Sequence, residues 1–165
     1  MIKKIKKISF KQFNEKNGNL IAYEFKNLKF DIKRIFHVYA KKGQIRGKHA
    51  HKNAKQILIC SKGKILIKCN DGYNTKKFIL QHSTECLYIP EKIWAEQQYL
   101  AKENILTVLS TSYFNNNSYI RDFNKYLKDR KLTLDDEYLY VNLSKVVERS
   151  KKCKNLSNLY HGLFN

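Results

Sequence analysis

The first 110 residues hold a series of short strand-like runs with no helical pattern between them. LIAYEF (20–25), KRIFHVY (33–39), KQILIC (55–60), KILIKC (64–69), KKFIL (76–80), ECLYI (85–89) and ILTVLS (105–110) are rich in β-branched and aromatic residues. Many of these alternate with polar ones, the period of a half-buried strand. Turn-like separators punctuate them: NGN at 17–19, KKG at 41–43, SKG at 61–63 and NDG at 70–72. Asn70-Asp71-Gly72 carries the residues a tight hairpin demands. The sole proline, Pro90, stops ECLYI at a strand exit. Such a series predicts an all-β antiparallel barrel or sandwich, and 165 residues suffice for one such core.

The pattern changes after about residue 112. YIRDFNKYLKD (119–129) places Ile120, Phe123 and Leu127 at helical spacing, which predicts a helix against the barrel. LDDEYLYVNLSKVVERSKK (134–152) opens acidic and closes basic, the polarity that suits a second helix. The tail that follows has Leu156, Leu159, Tyr160, Leu163 and Phe164, enough to dock, with free fraying as the alternative. The expected division is a β domain over 1–130 and a helical extension over 131–165.

Lys+Arg 33 against Asp+Glu 14 gives a net charge of +19, a field that attracts anions of every kind. The excess is spread along the chain with abundant asparagine, as in NNN at 115–117, and is not gathered into one patch. Zinc-finger, RNP and GXXG patterns are absent, so nucleic acid is not the expected partner. Cys60, Cys69, Cys86 and Cys153 show no CxxC spacing; Cys60 and Cys86 sit in apolar runs as small core side chains. MIKKIKKISF lacks the sustained apolar run of a secretory signal. No run of about 20 apolar residues spans a membrane. A soluble cytoplasmic protein without membrane insertion is therefore expected.

Residues 46–52 read RGKHAHK. On an extended strand His49 and His51 share one face while Ala50 points the other way. The pair alone is compatible with a metal site, a proton-transfer site or a basic surface stretch. The wider spacing is more informative: Gly43, five residues, His49, one residue, His51, four residues, Gln56, six residues, Gly63. This resembles the first cupin motif, in which two histidines and a glutamate bind a metal. The later motif that supplies a fourth ligand corresponds here to Pro90-Glu91-Lys92-Ile93-Trp94-Ala95. The glutamate position is Gln56 and the distal histidine position is Ala95. Two neutral imidazoles rarely hold a catalytic divalent metal, whose sites typically have three protein ligands or more. Arg46, Lys48 and Lys52 would further oppose a cation and favour an anionic substrate. No metal and no cofactor are expected.

Histidine accepts and returns protons near neutrality. Moving a carbonyl between neighbouring sugar carbons needs a proton taken from one carbon and another delivered to its neighbour. The enediol-like intermediate carries developing negative charge, which cations and hydrogen-bond donors stabilise.

Over roughly residues 8–128 the chain resembles the WxcM-like nucleotide-sugar 3,4-ketoisomerases of the cupin superfamily. The residues that carry the resemblance are Gly18-Leu20-Ala22-Glu24, Phe30-Asp31-Ile32-Lys33-Arg34, RGKHAHK, and the stretch from Ser110 to YIRDF ending at Phe123. The resemblance implies a cupin (RmlC-like) jelly-roll barrel with C-terminal helices, acting on dTDP-4-keto-6-deoxyglucose. It makes His49 the base at C3 and has His51 help deliver a proton at C4. Arg46 and Lys52 would favour the diphosphate or the oxyanion, and Arg34 would face the same cavity. Gln56 would hydrogen-bond the sugar or orient an imidazole. Tyr39 and Trp94 are aromatic candidates for the sugar or base pocket, with a core role as the alternative for either. The family also implies a homodimer with exchanged N-terminal strands. Lys48 between RG and HAH, Ala95, and everything after about 130 depart from the family pattern. A 3,5-epimerase, and a nucleotide-sugar-binding cupin without turnover, are the alternative functions.

Overall fold

In a computed structural model the described residues are 2–26 and 28–131. The chain divides into a compact unit Met1–Leu127 and a second unit Lys128–Asn165. The first unit holds β1 (Lys6–Ser9), β2 (Gln12–Glu15), β3 (Gly18–Ile21), β4 (Arg34–Lys41), β5 (Ile45–His51) and β6 (Gln56–Lys62). Then come β7 (Ile65–Asn70), β8 (Thr75–Leu80), β9 (Glu85–Ile89), β10 (Trp94–Tyr99), β11 (Glu103–Ser110) and β12 (Tyr119–Ile120). A helix, α1, starts at residue 123 and runs through 131.

Two five-stranded antiparallel sheets form the body, in the orders β1-β9-β6-β11-β4 and β12-β5-β10-β7-β8. Their inner faces interdigitate through Leu58, Cys60, Ile65, Ile67, Leu87, Leu106 and Val108. Consecutive strands alternate between sheets over much of the chain, the jelly-roll arrangement that the sequence resemblance implies. β4 alternates half-buried and exposed throughout, turning Phe36 and Val38 to the core, whereas β6 is buried over its first five residues, between the core and the covering segment.

The outer face of the first sheet is covered by its own N-terminal segment. Ile57, Ile59, Cys86 and Leu109 are buried there beneath Phe10, Tyr23, Phe25 and Phe30. This corrects the expectation for LIAYEF: the strand ends at Ile21, and residues 22–25 form a covering segment instead. The Tyr23 hydroxyl donates to the Ser83 carbonyl at 2.6 Å, which fixes that cover in place. Cys60, Cys69 and Cys86 are free and buried, with burial pushing each thiol up, to about 11 for Cys60 and about 12 for the other two.

The NDG signal forms the β7–β8 hairpin. Gly72 adopts φ +103, and the Asp71 carboxylate accepts from the backbone N–H groups of Tyr73, Asn74 and Ile2. These donors, against the opposing effect of burial, hold its carboxyl below the usual range.

The expected helix over 119–129 is also corrected. Tyr119 and Ile120 pair with His51 and Ala50 at the edge of β5, and the helix begins only after Asp122. Asp122 caps it: its Oδ1 accepts from the Lys125 N–H at 2.8 Å. The second helix expected over 134–152 and the apolar tail lie outside the described residues.

Candidate active site

The site grows from an irregularity in β5. Against β10, His49 pairs with Ala95 and Gly47 pairs with Glu96, so Lys48 is an extra residue without a partner. Gly47 at φ +80 and Lys48 at φ +52 make this β-bulge. Glycine is required at 47. A Cβ there would sit 2.7 Å from the Ala95 carbonyl oxygen and 2.6 Å from Gln97 Oε1. Lys48 is exposed, as the residue a bulge extrudes.

Past the bulge the strand is regular, and His49 and His51 share its inner face. Their Nε2 atoms lie 3.2 Å apart, with the rings nearly perpendicular. His49 Nδ1 is 2.9 Å from the Gly47 carbonyl oxygen. A carbonyl only accepts, so His49 carries its proton on Nδ1 and presents a lone pair at Nε2. His51 must then donate its Nε2–H to that lone pair. One backbone oxygen thus sets the tautomers of both neutral rings. His51 Nδ1 is buried and has no protein partner among the described residues.

Both imidazoles resist protonation. Burial is the main cause for His49; the Gly47 carbonyl partly offsets it and the Arg121 charge adds to it. His51 is driven down to about 3, first by burial, then by His49, Arg34 and Arg121. Neutral rings at neutral pH are the state a general base needs.

Tyr119 covers the pair, with its ring centroid 4.9 Å from His49 and 4.5 Å from His51. The Arg34 guanidinium donates to the Tyr119 hydroxyl at 3.3 Å, and Arg121 stacks on the ring face at 4.6 Å. Register explains this placement, since Tyr119 lies directly opposite His51. Tyr119 and Arg121 were concealed in the sequence by a segment that also fits a helix. Read as a strand, YIR puts both on one face, which was the available signal.

The imidazoles line a cavity of about 210 Å³ that reaches Arg46, Gln56 and Gln97. Arg46 also lines a neighbouring cleft of about 520 Å³ with Tyr39, Lys41 and Gln44. The structure therefore brings His49, His51, Gln56, Arg34 and Arg46 together. Tyr39 is 71% exposed on the outer side of β4, in the neighbouring cleft and apart from the imidazoles.

Two expected site residues are elsewhere. Trp94 pairs with Ala50, the residue that points away from the histidines. It is buried on the opposite face of the sheet against Tyr126 and Phe123, where it anchors the start of α1. Lys52 follows the end of β5 and is exposed; its backbone N–H bonds to the Ser118 carbonyl, and its side chain does not line the cavity. The placement of Trp94 follows from the alternation of side chains across the sheet, and that of Lys52 from its position just beyond the last strand residue, His51.

At the positions of the two remaining cupin ligands stand Gln56 and Ala95, both beside the histidines. Among the described residues, no three His, Cys, Asp or Glu side chains gather as a metal-binding group. The donor set of the site is two imidazoles and a neutral amide, which suits proton transfer better than metal ligation.

The family model described as FdtA (WxcM-like, C-terminal) matches residues 3–131. The chain belongs to this WxcM-like family. A family relative, the TDP-4-oxo-6-deoxy-α-D-glucose-3,4-oxoisomerase of Aneurinibacillus thermoaerophilus, is 32% identical over 135 residues, covering 80% of this chain and 97% of the relative. The crystal structure of a 3,4-ketoisomerase from Helicobacter canadensis superposes with a TM-score of 0.73 at 37% identity, over 78% of this chain and 98% of that one. A sugar 3,4-ketoisomerase from Thermoanaerobacterium thermosaccharolyticum, solved with TDP, gives 0.75 at 30% identity, over 81% and 98%. WxcM-like membership agrees with the jelly-roll body and accounts for the retained cupin frame. Among the described residues no helix is long and apolar enough to cross a membrane.

Proposed function

We propose that this chain is a 3,4-ketoisomerase that converts dTDP-4-keto-6-deoxyglucose to a dTDP-3-keto-6-deoxyhexose by histidine acid/base chemistry. The observation that carries the reading is the imidazole pair, with tautomers set by the Gly47 carbonyl and both rings on the lining of a cavity. As the sugar enters, the His51 N–H gives up its hydrogen bond to the His49 Nε2 lone pair; that lone pair takes the C3 hydrogen as a proton, and the C–H electron pair becomes the C3=C4 double bond. The C4 carbonyl electrons move onto O4, giving an enediolate. The charges of Arg34 and Arg121, close enough to act on His51, stabilise that oxygen. The O3 proton then leaves as C3=O forms, the double-bond electrons take a proton at C4, and O4 ends as a hydroxyl. His51, which stays neutral, relays these protons and does not store one.

The cavity of about 210 Å³ is smaller than the roughly 300–1,000 Å³ of pockets that enclose whole ligands. It suits the sugar ring, with Arg46 at the diphosphate and the nucleoside in the adjoining cleft beside Tyr39. Gln56, at the floor, hydrogen-bonds the sugar or orients His51.

The acting unit is a homodimer with exchanged N-terminal strands. The support is twofold. Strand β4 is an eight-residue edge strand, and the β2–β3 hairpin pairs only with itself among the described residues. Such an edge is a template for a strand from another chain, and Ile35 and Tyr39 on β4, with Phe13 and Leu20 on the hairpin, are exposed apolar groups. Sedimentation equilibrium checks this: a monomer at micromolar concentration would refute it.

The function is tested by incubating the protein with dTDP-4-keto-6-deoxyglucose in D₂O and following the sugar by NMR. Deuterium at C4 of a 3-keto product is expected. Deuterium at C5 would identify the epimerase, and binding without exchange would identify a module that lacks turnover.

A further inference from the structure

The two walls of the histidine cavity differ in kind, and the difference bears on the stereochemistry of the product. One wall is the second sheet: His49 and His51 on β5, Gln97 on β10, and Tyr119 paired to β5. The other wall is the first sheet, and it presents Phe36, Val38, Leu58, Leu106 and Val108. The polar groups of that sheet near the site are Gln56, a neutral amide, and Arg34, whose guanidinium is held at the Tyr119 hydroxyl. An amide is not a proton donor of useful acidity, and a guanidinium does not give up its proton in a protein. Among the described residues, the groups able to exchange a proton with carbon therefore stand on one side.

An enediolate is planar at C3 and C4. A proton leaves C3 perpendicular to that plane, and a proton reaches C4 perpendicular to it. With the sugar ring between the two sheets, one face of the plane meets the imidazoles and the other meets hydrocarbon. We propose, on the basis of the ketoisomerase reading, that proton removal at C3 and delivery at C4 occur on the same face, so that the product is the galacto-configured 3-keto-6-deoxyhexose. The configuration follows from the substrate: in the D-gluco series the C3 hydrogen lies on the α face. A hydrogen delivered to C4 from that face leaves the C4 hydroxyl on the β face, which is the galacto arrangement. The gluco product requires a donor on the apolar wall. The balance is unchanged, with one proton leaving C3, one arriving at C4, and the hydroxyl proton passing from O3 to O4.

The test is proton NMR of the product formed by the wild-type protein in H₂O, sampled early in the reaction. A small H4–H5 coupling, from an equatorial H4 beside an axial H5, is expected. A large diaxial H4–H5 coupling would overturn the inference while leaving the ketoisomerase function intact. Absence of any 3-keto product would defeat the function and the stereochemical inference together. A second arm uses Phe36→Leu, which keeps the opposing wall apolar and should preserve the small coupling. A switch to the large coupling in that variant would also count against the inference, because it adds no donor.

Discussion

Replacing Gly47 by alanine tests whether the bulge, and not the HxH spacing alone, builds the site. Two contributions can be worked from the structure. At φ +80 a side chain pays the left-handed penalty of about 1–2 kcal/mol. The added Cβ would also lie 2.7 Å from the Ala95 carbonyl, a backbone atom tied into β10, and forced overpacking typically adds about 1–3 kcal/mol. Gly43 is the matched control: its φ is +86, but a Cβ there meets nothing within 4 Å. Gly43→Ala should therefore show the conformational penalty alone, and Gly47→Ala should be less stable than it by about 1–3 kcal/mol. For a chain of this size each kcal/mol is about 2–4 °C in Tm, so the two variants should separate by about 2–12 °C in a calorimetric scan. Turnover should separate them too. Moving the Gly47 carbonyl frees the His49 Nδ1–H, so kcat should fall at least tenfold in Gly47→Ala and stay within about twofold in Gly43→Ala. Equal melting temperatures and equal kcat in the two variants would show that the bulge does not build the site.

Three further outcomes follow from the same geometry. Because burial holds His51 down to about 3, the unfolded chain binds a proton that the folded chain does not between about pH 6.5 and 3. Stability should accordingly be fully present above about 6.5 and fall by up to about 1.4 kcal/mol per pH unit as the medium is acidified, a slope that His51→Asn should reduce in urea titrations. Arg46→Ala should weaken binding of TDP about 10–100-fold by calorimetry, the equivalent of losing a charge-assisted contact of about 1.5–3 kcal/mol. Trp94→Ala should destabilise the fold by about 3–5 kcal/mol while leaving the affinity for TDP near that of wild type, since the indole packs on α1 and not in the cavity.

The sequence and the structure agree where local pattern decides the outcome. KRIFHVY, KQILIC and ECLYI became strands because each alternates or is wholly apolar between turn residues, and the β7–β8 turn follows from Gly72 and the acceptors of Asp71. His49 and His51 were legible for the same reason, since residues two apart on a strand share a face. What was not legible depends on partners distant in the chain. The extrusion of Lys48 is a matter of register against β10, 46 residues away by the pairing of His49 with Ala95. YIRDF fits a helix by spacing, but the open edge of β5 offers backbone partners, and pairing with His51 prevails for its first two residues. Trp94 reads as a pocket aromatic until its register with Ala50 places it on the far face. In each case the side chain chemistry was visible, and the face it occupies was not.

In the proposed reaction His49, held by the Gly47 carbonyl, removes the C3 proton. The most direct measurement of this step is the rate at which the C3 proton of dTDP-4-keto-6-deoxyglucose is lost in D₂O, followed by NMR for the wild-type protein and for His49→Asn. TDP affinity measured alongside establishes that the variant is folded and binds. Loss of C3 exchange by a factor of at least a thousand, with TDP affinity retained, is the predicted result. C3 exchange in His49→Asn within tenfold of wild type would contradict the account.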